Sequence, residues 1–203
     1  MLTWAFVLVL VIGVAATAYA IHRHRAKEAA ASRERWLADF QLVDRTGRAV
    51  SRADLAGRDL VVNFVFSSCS ISCLQVNRHL AEVQRLLAEQ HLDDVRIVSL
   101  TVDPRTDTPP VLAEFAQRFG ADTNRWLFLT GDTEAVDALI TASFLDRGEP
   151  AYGDSMPGGY AGTGNIAIVD RSGRVRKFVD GLSGTAPKRV MEELARLRTE
   201  VRP

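Results

Sequence analysis

The chain has 203 residues, 47% of them hydrophobic and 25% charged, with 25 basic residues set against 25 acidic ones. That balance excludes intrinsic disorder, which needs low hydrophobicity and high net charge. It also argues against a nucleic-acid partner, because such proteins carry a basic excess or a basic face. Beyond an apolar N-terminal segment, about 165 residues remain, enough for one domain and its core without disulfide staples.

Taken in chain order, the first element is uncharged. Trp4 to Ile21 carries no charged side chain and ends at once in His22-Arg-His-Arg25. A run of about 18 residues is near the lower limit for crossing a bilayer. It is apolar on all faces, so a buried core helix is the poorer reading. Ala18-Tyr-Ala20 has the small-x-small form of a signal peptidase site. Residues 1–21 are expected to be a transmembrane anchor in preference to a cleaved signal. Arg23, Arg25, Lys27, Arg33 and Arg35 follow the run. Counted simply, they would hold the following domain in the cytoplasm, whereas the thiol chemistry below points to the periplasmic or extracytoplasmic side.

Residues 22–38 are charged and alanine-rich and read as a tether, with a globular domain over 39–203. Phe40–Val43 and Arg48–Val50 flank Asp44-Arg-Thr-Gly47, a hairpin with a glycine turn. Leu60–Phe66 is a continuous apolar run, as in a central strand buried on both faces. Leu74–Gln90 repeats apolar residues at helical spacing. Val95–Val102 is a second core strand, and Asp103–Pro110 is a loop leading to a helix over 111–119. Trp126–Leu129 is a strand and Asp132 caps a helix over 132–141. A glycine-rich loop spans 143–163. A hairpin over 165–179 and a closing helix over 186–198 complete the chain. Strands alternating with helices make an α/β sandwich.

Cys69 and Cys73 are the only cysteines, and they directly follow the most apolar strand. A helix beginning near Cys69 would offer free N–H groups and a dipole that favour a thiolate. The i, i+4 spacing puts both sulfurs on one side of the first turn. A bond closing so short a loop stabilises little, ~2 kcal/mol against ~4.7 for a long loop, so it reads as a redox switch instead of a support. Two thiolates also suit Cu(I). Two buried structural thiols are the plainer alternative. Asp103 and Asp107 could pair as acid and base, but their place around prolines favours a loop-shaping role. Glycines 158, 159, 162 and 164 precede a strand instead of joining a strand to a helix, so a dinucleotide loop fails on polarity.

These motifs together resemble the Sco family, also called SenC or PrrC. The resemblance is carried by Asp54-Leu-Ala-Gly57, Val62–Phe66, Cys69-Ser-Ile-Ser-Cys73, Ser99-Leu-Thr-Val-Asp-Pro-Arg-Thr-Asp-Thr-Pro109, Arg118-Phe-Gly120, Trp126–Gly131 and Ile168–Arg174. It implies a membrane-anchored, thioredoxin-like domain with a mixed central sheet. It further implies copper held by Cys69, Cys73 and a distal histidine. The implied partner is the copper-site subunit of cytochrome c oxidase, or another thiol or copper protein, which would receive copper or electrons. Alignment on Asp170 puts Gly162 where that histidine is expected. His79 lies six residues beyond Cys73, well down the helix, and reads as a surface residue. Met156 is a speculative soft replacement ligand. Two sulfurs alone suit Cu(I) and hold Cu(II) poorly. Ser70 and Leu74 replace the prolines usual after each cysteine. The competing functions are a thiol–disulfide oxidoreductase without copper and a non-catalytic binding module.

Overall fold

A computed structural model describes residues 35–68, 72–145 and 164–200 of the chain. The elements run β1 (Arg35–Trp36), β2 (Gln41–Asp44), β3 (Ala49–Ser51), α1 (Arg52–Leu55), β4 (Asp59–Val65), α2 (Ser72–Glu89) and β5 (Val95–Thr101). They continue α3 (Pro109–Gln117), β6 (Trp126–Thr130), α4 (Thr133–Phe144), β7 (Asn165–Val169), β8 (Arg174–Asp180) and α5 (Ala186–Glu200). All eight strands form one sheet in the order β1-β8-β7-β4-β5-β6-β2-β3. β4 pairs in parallel with β5, and β5 with β6. The remaining pairs are antiparallel. The mixed α/β layering expected from the sequence is therefore present.

The period-two alternation of the strands divides the core. Val61, Val65, Ile97, Phe128 and Ile166 face the helices α2, α3 and α5, which supply Leu80, Phe115 and Leu194. Leu60, Val62, Phe64, Val98 and Leu100 face α4, α1 and the β2–β3 hairpin. Burying both faces of β4 and β5 is what makes these strands continuous apolar runs. Each fully buried leucine contributes roughly 2 kcal/mol by leaving water. α4 starts as expected, with the Asp132 side chain accepting from the backbone N–H of Glu134 and Ala135. It continues to Phe144, past the expected end, because Ile140, Ser143 and Phe144 all remain buried.

Two hairpin turns use one device. In Asp44-Arg-Thr-Gly-Arg48 and Asp170-Arg-Ser-Gly-Arg174, the aspartate Oδ1 accepts from the N–H and hydroxyl of the residue two ahead and from the N–H four ahead. Gly47 and Gly173 close these turns at φ of 83° and 92°, a region that favours glycine.

The stretch read as a tether contributes structure at its end. Arg35 and Trp36 pair with Val175 and Arg174, and Leu37 is buried. The charges around it hid a two-residue edge strand, too short for any periodicity to show. Among the described residues no helix is long and apolar enough to cross a membrane. The expected anchor over residues 1–21 lies outside them.

Candidate thiol site

β4 carries the chain through the middle of the sheet and delivers it to the carboxyl-terminal edge at Phe66, which is still buried. Ser67 and Ser68 turn there, and α2 is in register from Ser72. Cys73 is thus the second helical residue, at the positive end of the helix dipole. Its side chain has no solvent exposure and joins the cluster of Phe64, Phe66, Val102 and Phe144. The rest of the buried face of α2, from Val76 to Leu87, packs on the other side of the sheet. The start of α2 therefore bridges both cores at the strand end.

Cys73 is disulfide-bonded, and no described cysteine is free. Cys69, the one other cysteine of the chain, lies outside the described residues, as do Met156 and Gly162. Only Cys73 of the expected site can therefore be placed. A sulfur in a disulfide offers no thiolate to a metal, so copper can bind Cys73 only after reduction. Among the described residues no group of three His, Cys, Asp or Glu side chains could hold a metal ion.

The loop before the cysteines is held by Asp107. This carboxylate has no solvent exposure. Its two oxygens accept from the Ser67 N–H at 3.0 and 3.2 Å, and Oδ2 also accepts from the Thr101 hydroxyl at 2.5 Å. The Thr101 oxygen in turn accepts from the Asp103 N–H at 3.0 Å. The Asp103 carbonyl accepts from the N–H groups of Thr106 and Asp107. Asp103 and Asp107 consequently shape the loop, and Asp107 ties it to the strand end that presents the cysteines.

Asn77 was not singled out by sequence reasoning. It lies one turn after Cys73, is fully buried, and donates from Nδ2 to the Cys73 carbonyl at 2.7 Å. Its Oδ1 has no partner, which costs roughly 1–3 kcal/mol of desolvation. The available signal was a lone amide on the apolar stripe of Cys73, Val76 and Leu80. His79 is half-buried, and its Nδ1 donates to the Gly181 carbonyl at 2.7 Å. It therefore anchors the loop after β8 and leaves that nitrogen without a lone pair for a metal. Gln75 secures the same loop by donating to the Leu182 carbonyl at 2.9 Å. Gly181 lies so close to the Gly164 carbonyl that a Cβ would meet it at 2.6 Å. This contact fixes the start of β7, the strand that follows the expected ligand loop.

Comparison with known proteins places this arrangement. A curated SCO1 protein homolog of Bacillus subtilis is 27% identical over 147 residues, covering 72% of this chain and 74% of its own length. The solved structure of BsSco is described as having a disulfide switch and as a member of the Sco family of cytochrome c oxidase assembly proteins. It shares the fold with a TM-score of 0.68 at 24% identity, over 82% of this chain and 95% of its own. Bradyrhizobium japonicum ScoI, solved with copper bound, shares the fold with a TM-score of 0.61 at 23% identity, over 79% of this chain and 98% of its own. The SCO1/SenC family model matches residues 28–199. The chain belongs to the SCO1/SenC family.

Proposed function

We propose that this protein handles Cu(I), exchanges electrons through Cys69 and Cys73, and serves assembly of the cytochrome c oxidase copper site. The observation that carries the reading is the disulfide-bonded, fully buried Cys73 at the first turn of α2, in a chain of this family. Cys69 is the proposed partner in that bond. Reducing it takes two electrons and two protons and yields two thiols. Cu(I) then displaces the thiol protons and is held by two soft sulfurs. Copper is cargo here, to be passed to the oxidase subunit or another thiol protein. Met156 is the proposed extra soft ligand in place of the histidine that Gly162 lacks. The N-terminal segment is proposed to anchor the domain on the extracytoplasmic side, where a disulfide persists.

A second reading is favoured by the disulfide itself. In it the dithiol reduces a partner's disulfide, becoming oxidised to Cys69–Cys73 while the partner gains two electrons and two protons. Copper is then not bound.

Anaerobic titration of the reduced full-length protein separates these readings. Copper handling requires one Cu(I) per chain, abolished by Cys69→Ser. Uptake no greater than that of the double Cys→Ser variant would sink it. If electron exchange operates, the pair cycles between dithiol and disulfide at a measurable potential, and a pair inert to thiol exchange rules it out. Gly162→His should add stable Cu(II) binding, because a nitrogen ligand is what two sulfurs lack.

A further inference from the structure

An open cavity of about 580 Å³ lies at the amino-terminal ends of β4, β5 and β6, walled by the β2–β3 hairpin and α1, a volume typical of small-molecule sites. It lies at the opposite end of β4 from Cys73, roughly 20 Å along the strand at about 3.3 Å per residue. The register explains why it exists. Arg96 pairs with Leu60 across β4 and β5. The alternation puts it on the same face as Val98 and Leu100, which are core residues. Arg58 has the parity of Leu60 and lies just before β4. α1 covers this end of that face, and it has four residues. Two guanidinium groups therefore sit where a closed fold would bury apolar side chains. Val50, Leu55 and Leu127 supply apolar lining, and Thr123 and Asn124 supply polar lining.

The charges in the cavity do not cancel. Arg48, Arg58 and Arg96 line it together with Asp44 and Asp54. Asp44 is already engaged by Thr46 and by the Arg48 backbone and side chain. Asp54 is exposed, and its Oδ2 accepts from the Ser51 N–H and hydroxyl. Arg96 directs Nη1 to the Asp93 and Val95 carbonyls, leaving its other donors without a protein partner among the described residues. Arg58 has no hydrogen bond or ion pair among the described residues. Burial, then the positive charges of Arg58 and Arg125, push Arg96 below the usual guanidinium range, outweighing the opposite pull of Asp93 and Asp122. Thus two cations repel each other across a cavity in a chain whose formal net charge is zero.

We propose that this cavity is a binding site for a small polyanion carrying two phosphate or carboxylate groups, which Arg58 and Arg96 clamp. Guanidinium forks match both oxyanions bidentately. The anion would relieve the repulsion between the two arginines and supply acceptors for their idle donors. The site is independent of the thiol chemistry at the other end of the sheet.

Calorimetric titration of the full-length protein in mild detergent at low salt tests this, with pyrophosphate and citrate as separate probes. Saturable binding of either is expected, and which one binds tells phosphate from carboxylate. Arg58→Gln should weaken it about tenfold or more, the usual effect of losing charge-assisted hydrogen bonds. Arg58→Lys, which keeps the charge without the fork, should fall between. Because Arg58 has no partner to lose, the unliganded variants should melt like the wild type. Binding of neither probe, or equal binding by folded Arg58→Gln, would overturn the proposal.

Discussion

The two ends of the parallel strands are built on opposite terms. At the carboxyl end, polar groups are spent on one another. Asp107 satisfies Ser67 and Thr101, Thr101 satisfies Asp103, and the Cys73 sulfur is closed in a disulfide and shielded from water. At the amino end, the two aspartate turns are equally self-contained, but Arg58 and Arg96 face a cavity with donors to spare. The difference teaches where specificity resides. The redox change proposed for the sulfurs would need such a rigid, satisfied support, so that only they respond. A site that waits for a ligand keeps its charges unpaired until the ligand arrives.

The largest effect is expected from breaking the carboxyl-end support. Asp107→Ala leaves the Ser67 N–H and the Thr101 hydroxyl without an acceptor in the interior. The cost should be about 3–5 kcal/mol, the sum of such losses, read from urea unfolding. Asp107→Asn keeps one acceptor oxygen and should cost less than half as much. Equal stability of both variants with the wild type would show that the loop is held by something else.

A smaller effect is expected at the amino end, in the β7–β8 turn. Burial alone would push the Asp170 carboxyl up, but hydrogen bonds from the Ser172 and Arg176 side chains and from the Arg174 and Ser172 backbone outweigh it. The net shift is below the usual carboxylate range. A carboxylate lowered in the folded state contributes stability above its unfolded value, about 3.9. That contribution disappears as pH falls through the lower folded value. Asp170→Asn should therefore cost about 1–3 kcal/mol at neutral pH, and the difference from wild type should shrink below pH ~4. A difference that stayed constant into acid would contradict the charged role of Asp170.

The smallest effect on stability is expected from Arg58→Gln. With no partner among the described residues, the side chain should change unfolding free energy by no more than about 0.5 kcal/mol. A loss several times larger would mean that Arg58 supports the fold instead of waiting for a ligand.

Much of this was legible in the sequence, and the exceptions are physical. β4, β5 and the long helices announced themselves because strands buried on both faces and amphipathic helices leave strong periodic signals. The aspartate-glycine turns were readable from their residues alone. β1 was not, since two residues paired at a sheet edge carry no pattern. The cysteine pair was obvious, whereas the roles of Asp107 and Asn77 required the packing. Asp107 lies 40 residues from Ser67 in sequence, and only the parallel pairing of β4 with β5 brings the two loops together. The arginine cavity was missed because one charge in an apolar strand reads as a solvated position. It becomes informative only when Arg58, just before β4, shares its face.

The central claim is that redox state controls metal binding at Cys69 and Cys73. The most direct measurement is a paired anaerobic Cu(I) titration of the full-length protein, once fully reduced and once fully oxidised. One Cu(I) per reduced chain and none per oxidised chain is the expected result. Equal uptake by both forms, or no uptake by the reduced form, would contradict it.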